Sequence, residues 1–164
     1  MIQYSPDIII LGEIRDQETA VIAIRAALTG HLVLSTLHTR DAKGAIYRLL
    51  EFGIKQNEIE QTLIGITAQR LVTLMCPFCG ENCSKYCSHY HNKRRVAVYE
   101  LLHGNILRQV LSEVNGEAAP YHYSTLKETL RKGIALGYIS KQEYDRWVFE
   151  SEEEKTKGSR YVFN

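Results

Sequence analysis

Two polar side chains follow two apolar runs near the start of the sequence. Glu13 comes shortly after residues 8–11, which read Ile-Ile-Ile-Leu, and His38 closes residues 31–38, which are apolar first and polar at the end. The carboxyl ends of parallel strands meet at one edge of a sheet, and ligands of such sheets bind in the crevice there. We therefore expect Glu13 and His38 to face one crevice.

A carboxylate and an imidazole in such a crevice are suited to nucleotide hydrolysis. This reaction needs a carboxylate that holds the magnesium shell or orients the attacking water, and a polar group that senses the terminal phosphate. Glu13 can hold the magnesium shell or orient the water. His38, with Thr36 and Thr39 beside it, can sense the terminal phosphate. Gly12 lets the backbone bend. The alternative is structural: Glu13 merely caps a helix or pairs with Arg15, and His38 is an ordinary histidine at a strand end.

The sequence contains no phosphate-binding loop of the form G-x-x-x-x-G-K-[ST], because no glycine is followed by lysine. Without the amides and the lysine of such a loop, phosphates have no cradle. We therefore expect this chain alone to bind ATP poorly and to hydrolyse it negligibly. An inactive module that joins an assembly without turning over ATP is the corresponding alternative.

The elements that must position these residues form a strand–helix–strand unit, which is typical of an α/β fold with a parallel sheet. The strand at residues 8–11 reads as buried on both faces, Asp16 is placed to cap the following helix, and Gly30 can end that helix. Further helices are predicted at 42–52, 57–75, 106–114, 124–136 and 140–150, a strand at 94–102, and a charged tail at 152–160.

Length and composition indicate an ordinary globular protein with one main core. The chain has 164 residues, 45% hydrophobic and 24% charged, and a net charge of +1 that gives no global reason to expect a polyanion partner. No apolar run is long enough to span a membrane. Because the first strand begins almost at the terminus, we expect an N-terminal part to be missing. The predicted segments are a core at 1–75, a metal loop at 76–93, a strand and helical subdomain at 94–150, and a tail at 151–164.

Four cysteines lie close together after the core. Cys76, Cys79, Cys83 and Cys87 are separated by two, three and three residues. Four thiolates this close can surround one tetrahedral Zn²⁺, and a disulfide framework would spread its cysteines further apart. An iron–sulfur cluster or a redox C-x-x-C motif is the alternative, although the latter normally opens a helix that follows a strand.

The segment after the cysteines offers further ligands and a second function. His89 and His91 are reserve metal ligands, and residues 89–95 read His-Tyr-His-Asn-Lys-Arg-Arg, which is locally basic. A zinc knuckle beside such a patch could hold nucleic acid, so a zinc-dependent nucleic-acid-binding module is the second candidate. A solvated basic loop accounts for the same residues, and direct nucleic-acid binding is not the expectation.

Two motifs in tandem resemble the ATPases that power type II secretion, type IV pilus assembly and competence pseudopili. "GEIRDQETA" is similar to the Walker B region of that family and "TGHLVLSTLHT" to its histidine box. "AQRL" at 68–71 and "VYELL" at 98–102 also agree, so the resemblance covers about residues 6–150. It is greatest to the competence ATPase of Gram-positive bacteria, which serves DNA uptake.

This resemblance implies a RecA-like domain in a homo-hexameric ring that hydrolyses ATP with Mg²⁺. It makes Glu13 the Walker B glutamate and His38 the histidine near the γ-phosphate, both catalytic, while His31 braces the loop before the second strand. Arg15 and Asp16 complete the Walker B motif and pair locally or across a subunit boundary. Nucleotide contacts are expected from Gly12, Arg15, Thr36 and Thr39.

The resemblance also carries expectations about the rest of the machine. Pilin-like subunits would be moved through an inner-membrane platform protein, with the ATPase at the cytoplasmic face of the membrane and not inserted in it. Many family members carry a tetracysteine zinc subdomain here, with the second pair further along the chain. Because the Walker A loop and the acidic box precede Walker B in this family, the chain corresponds to the C-terminal portion of a longer ATPase.

Overall fold

The computed structural model describes residues 6–88, 95–117 and 121–148. The predicted charged tail at 152–160 lies outside these residues. Four strands and six helices are found in the described part of the chain: β1 Ile8–Glu13, α1 Gln17–Leu28, β2 Leu32–Thr36, α2 Ala42–Glu51, α3 Gln56–Thr62, β3 Gly65–Thr73, β4 Arg95–His103, α4 Gly104–Val114, α5 Leu126–Ala135 and α6 Lys141–Trp147.

The first three elements form the predicted strand–helix–strand unit. β1 and β2 pair in parallel with Ile8 opposite Leu32 and Ile10 opposite Leu34, and α1 connects them. The α/β class with a parallel sheet is therefore confirmed. β3 and β4 form a second two-stranded sheet.

Polar caps fix the starts of two helices, and the cap at Asp16 is at its predicted position. The Asp16 carboxylate accepts a hydrogen bond from the Thr19 N–H at 2.8 Å, and the Ser140 hydroxyl accepts one from the Glu143 N–H at 3.1 Å. Gly30, just beyond the end of α1, has φ of +93°, a left-handed conformation that favours glycine. The two N-caps determine where the chain enters α1 and α6, and Gly30 determines where it leaves α1.

The helix predicted at 57–75 is wrong in its second half. α3 ends at Thr62, and residues 65–73 form strand β3. Along β3 the more buried side chains alternate with exposed ones, and Ala68 and Val72 lie four residues apart on the buried face. A spacing of four residues fits a helix as well as a strand, so the helical interpretation followed from reading the wrong period. Gly65 is unfavourable inside a helix, and the β-branched residues around it, Ile64, Ile66 and Thr67, favour the strand.

The expectation that the first strand is buried on both faces is also wrong. Ile8 and Ile10 are 55% and 78% exposed, and their partners Leu32 and Leu34 are 39% and 50% exposed. The parallel register places these four side chains on one face of the sheet. Their neighbours Ile9 and Val33 are half-buried on the other face. Within the described residues, only one face of this sheet is therefore covered.

The chain divides into two compact units. The first comprises the residues up to Ala68 together with Tyr99–Thr125, and the second comprises Gln69–Val98 and the residues from Leu126 onward. In the first unit Ile46 and Ile59 are completely buried, and in the second Leu130 is 1% exposed. No helix among the described residues combines the length and the apolar character that crossing a membrane requires.

The core of the second unit gives a test of this fold. Leu130 packs with Val72 and Ile139, so Leu130→Ala leaves a cavity and should lower the free energy of unfolding by about 2–5 kcal/mol. Leu136, 67% exposed, is the matched control, and Leu136→Ala should have little effect. Urea denaturation followed by circular dichroism measures both. Equal effects of the two substitutions would contradict the core assigned to this unit.

Candidate active site

The carboxyl ends of β1 and β2 are joined by several hydrogen bonds. The Ile14 N–H donates to the Thr36 carbonyl at 2.9 Å, and the Thr36 hydroxyl donates to the Gly12 carbonyl at the same distance. Between Ile10 and Glu13 the register shifts, so that β1 has one more residue than β2 and Glu13 comes opposite Thr36. This irregular end of the sheet sets the position of the Glu13 side chain.

The structure brings Glu13 and His38 together. The His38 Nε2 lies 3.0 Å from Glu13 Oε1, and the Arg15 Nε donates to Glu13 Oε2 at 2.6 Å. The Glu13 side chain is 19% exposed, whereas those of His38 and Arg15 are 87% and 76% exposed. The predicted convergence of the two strand ends is therefore found, and so is the local pairing of Glu13 with Arg15 that the structural alternative required.

The charge of Glu13 is stabilised by its neighbours. The hydrogen bond from Arg15 lowers the pKa of the Glu13 carboxyl; burial opposes this effect, and the charges of Arg15 and His38 add to it. The same contact raises the pKa of Arg15. Glu13 is thus a carboxylate across the neutral range, with Oε1 directed to His38 and Oε2 to Arg15. A group of this kind can accept hydrogen bonds from water or bind a cation.

The other residues expected to contact nucleotide contribute mainly to local structure. Thr36 and Thr39 line a cavity of about 300 Å³, with Asp41 also in its wall. The Thr39 hydroxyl donates to the Asp41 carbonyl at 2.9 Å. A Cβ added at Gly12 would meet no described atom within 4 Å, and the φ of Gly12 is not in the left-handed region, so the structure gives no steric reason for glycine there.

His31 and Asp16 occupy structural positions. His31 Nδ1 lies 3.0 Å from the Thr29 hydroxyl and 3.1 Å from the Ala26 carbonyl, which holds the turn between α1 and β2 as expected. Asp16 caps α1, as described above, and the bond from the Thr19 N–H lowers the pKa of its carboxyl. Neither residue is in contact with Glu13 or His38 in the described hydrogen bonds and ion pairs.

One buried polar residue near the site was missed by the sequence analysis. Glu100, on β4, is 2% exposed and accepts a hydrogen bond from the N–H of Ala42, the first residue of α2. The signal was available, because a glutamate in the apolar run Val-Tyr-Glu-Leu-Leu requires a polar partner if the strand is buried. Asp41, which caps α2 through the Gly44 N–H at 2.7 Å, was also missed, although Asp before a helical segment is a standard cap.

The four cysteine sulfur atoms lie within 4.8 Å of one another. The Sγ atoms of Cys76 and Cys87 are 3.9 Å apart, too far for a disulfide and close to the separation of about 3.8 Å between thiolates on a tetrahedral ion with bonds of about 2.3 Å. The backbone N–H groups of Cys79 and Phe78 lower the pKa of the Cys76 thiol to about 7. The cluster can hold one tetrahedral metal ion.

The surroundings of the cysteines differ from the prediction in one respect. A strand, β3, and not a long helix, precedes Cys76. The first cysteine pair, Cys76 and Cys79, nevertheless does not open a helix. Cys76 forms an isolated antiparallel bridge with Gly80, and the residues between them form a turn. The redox alternative is therefore still disfavoured. His89, His91 and the basic residues up to Arg94 lie outside the described part of the chain.

Comparison with known proteins shows the family. The chain matches the family described as "Type II/IV secretion system protein" over residues 1–146. This protein therefore belongs to the type II/IV secretion system ATPase family, as the two motifs indicated.

Curated relatives include competence and secretion proteins. The "Competence protein ComGA" of Bacillus subtilis is 63% identical over 150 residues, which cover 91% of this chain and 42% of the relative. The "Type II secretion system ATPase E" of Vibrio cholerae is 38% identical over 183 residues, covering 92% of this chain and 36% of the relative. The chain thus spans about two fifths of the length of these relatives.

Solved structures are similar in fold. The Legionella pneumophila ATPase DotB superposes with a TM-score of 0.60 at 25% identity, covering 85% of this chain and 38% of that chain. The Yersinia pseudotuberculosis ATPase DotB superposes with a TM-score of 0.61 at 22% identity, covering 90% of this chain and 38% of that chain. The second likeness supports the fold alone.

The electrostatics of the candidate site are testable by titration. Because the Arg15 hydrogen bond is the largest cause of the lowered pKa of Glu13, Arg15→Gln should raise that pKa by more than His38→Ala does. Carbon-13 NMR of the Glu13 carboxyl follows the titration. Arg25→Gln, at the far end of α1, is the control and should leave it unchanged. If His38→Ala raised the pKa of Glu13 by more than Arg15→Gln, the Arg15 hydrogen bond would not be the main cause of the lowered pKa.

Proposed function

We propose that this chain supplies the water- and phosphate-facing half of the ATP-hydrolysing site in a hexameric RecA-like motor. The single observation that carries the proposal is the 3.0 Å contact between Glu13 and His38 at the joined ends of two parallel strands. Membership of the secretion ATPase family gives this contact its chemical interpretation.

The two residues have different roles in this proposal. Glu13, whose pKa is lowered, is a weak proton acceptor, so its charge acts by orienting water or binding the shell of Mg²⁺. His38 is exposed and can reach the terminal phosphate from the same edge. Arg15 holds the Glu13 side chain through its hydrogen bond. The bond between Thr36 and Gly12 fixes the ends of β1 and β2, and the bond from Thr39 to Asp41 fixes the segment between β2 and α2.

ATP and Mg²⁺ are the expected substrate and cofactor, and Mg²⁺ would neutralise charge on the phosphates. The phosphate cradle would come from sequence outside this chain, so the chain alone is expected to be inactive. In the assembled machine the ring would contact an inner-membrane platform protein at the cytoplasmic face of the membrane and drive a pseudopilus or secretion. Similarity to the Bacillus subtilis competence protein favours competence DNA uptake as the process served.

The cysteine cluster is proposed as a structural zinc site. Four thiolates close the coordination sphere and leave no position for a substrate, which is typical of structural rather than catalytic zinc. The ion would stabilise residues 76–87, a segment without regular helix in the structure. No described observation favours the nucleic-acid-binding alternative, since residues 89–94 are outside the described part.

A chimera tests the motor function. The part of the Bacillus subtilis competence protein outside the aligned region is joined to this chain, and ATPase activity is measured as phosphate release. Glu13→Gln should lower kcat by about 100-fold or more, because the amide lacks the charge that acts on water or Mg²⁺.

Glu18→Gln, in the first turn of α1, is the matched carboxylate control and should retain activity. Removal of the added segment should abolish hydrolysis. If the chimera is active and Glu13→Gln is as fast as the parent, the assignment of Glu13 is wrong.

Metal binding is tested on the chain itself. Co²⁺ added to the reduced protein should give the absorbance of a tetrahedral tetrathiolate at one equivalent, and Zn²⁺ should displace it. Cys83→Ser removes one ligand and should weaken binding by about 100-fold or more, whereas Ser84→Ala, beside it, should not. Zinc should also raise the melting temperature, because it binds the folded cluster more tightly than the cysteines of the unfolded chain. Full Co²⁺ affinity in Cys83→Ser would exclude the four-cysteine site.

A further inference from the structure

Glu100 is the one buried charged residue among the residues that the structure describes, at 2% exposure. A carboxylate removed from water is costly unless hydrogen bonds satisfy it. An apolar residue in its place would not carry this desolvation cost, so the presence of a carboxylate in β4 requires a reason. Its hydrogen-bond partners provide one.

Glu100 is bonded to the beginning of a helix. Its Oε1 accepts from the Ala42 N–H at 3.2 Å and from the Tyr123 hydroxyl at 3.3 Å. Ala42 is the first residue of α2 and is itself completely buried. The positive end of the helix dipole also favours a carboxylate at this point. The contact therefore joins β4 to the start of α2, two segments 58 residues apart in the sequence.

The start of α2 is also the end of the segment that carries His38. β2 ends at Thr36 and α2 begins at Ala42, so five residues connect them, with His38 second. At one end Thr36 is bonded to Gly12 and Ile14. At the other end Glu100 holds Ala42, next to the cap at Asp41. The backbone that carries His38 is anchored on both sides.

The anchoring is needed because the His38 side chain is too exposed for its contact with Glu13 to fix its position. An ion pair with a partner exposed to solvent contributes little net stability. His38 is 87% exposed on its side chain, so its position opposite Glu13 follows from the backbone of the segment.

We propose that Glu100 is a positioning residue, which holds the start of α2 and through it keeps His38 opposite Glu13. The relevance of Glu100 to ATP hydrolysis rests on the function proposed above. Its effect on the position of His38 is independent of that function and can be measured in the chain without nucleotide.

The first measurement is amide hydrogen exchange of Ala42 by NMR. Glu100→Ala removes the acceptor and should accelerate exchange of this amide by about tenfold or more. Glu100→Gln keeps a side-chain oxygen at the same reach and should stay within about threefold of the parent. Glu113→Ala is the matched control, because Glu113 contacts α2 through the side chain of Lys43, at 2.7 Å, and not through the backbone.

The second measurement reports the contact between Glu13 and His38. In the parent chain His38→Ala should raise the pKa of the Glu13 carboxyl, since the charge of His38 lowers it and Arg15 remains in both forms. In the Glu100→Ala chain that pKa should already be raised, and adding His38→Ala should change it little. Glu100→Gln should restore the parent response, which a general loss of stability would not do.

If Glu100→Ala does not fold, Glu100→Asp decides the matter by the same two measurements. It keeps the charge and withdraws the oxygen from Ala42 by about 1.5 Å, the length of one carbon–carbon bond. Unchanged exchange at Ala42, or an unchanged response of Glu13 to His38→Ala, would overturn the proposal. An inactive chimera, or one insensitive to Glu13→Gln, would instead overturn the proposed function and leave the positioning intact.

Discussion

The parallel pairing of β1 with β2 is the interaction on which the site depends. Because parallel strands end at the same edge, the pairing of Ile10 with Leu34 also determines which residues meet beyond that edge. Thr36 contributes twice, through its carbonyl to Ile14 and through its hydroxyl to Gly12. These bonds hold β1 and β2 together beyond the regularly paired residues, as far as the position of Glu13.

The concentration of charge after the first strand has a separate cause for each residue. Glu13 faces His38, Arg15 pairs with Glu13, and Asp16 caps the next helix. A strand that turns directly into a helix must satisfy the free N–H groups of that helix within a few residues, which favours an Asp there. The same arrangement recurs after β2, where Asp41 caps α2. β1 and β2 thus each end in a short segment with polar residues that is closed by a capped helix.

The features that sequence predicted well are those determined by neighbouring residues. The cap at Asp16, the left-handed Gly30 and the cysteine spacing all depend on contacts a few residues long. The errors concern long-range packing. Residues 65–73 have a spacing that fits helix or strand, and their pairing with β4 favours the strand. The exposure of Ile10 and the burial of Glu100 likewise depend on which segments cover them.

Exposure at the site explains why its geometry has to be set from outside. In the proposed function Glu13 and His38 must both reach a ligand, and His38 is so exposed that its attraction to Glu13 is weak. Their separation is therefore determined by the backbone, which is held by Thr36 at the sheet edge and by the buried carboxylate of Glu100 at the helix start. A buried polar contact is costly to form and costly to break, whereas an exposed pair is neither. Placing the buried contact of Glu100 beside the proposed catalytic pair leaves His38 accessible while its backbone is held in position.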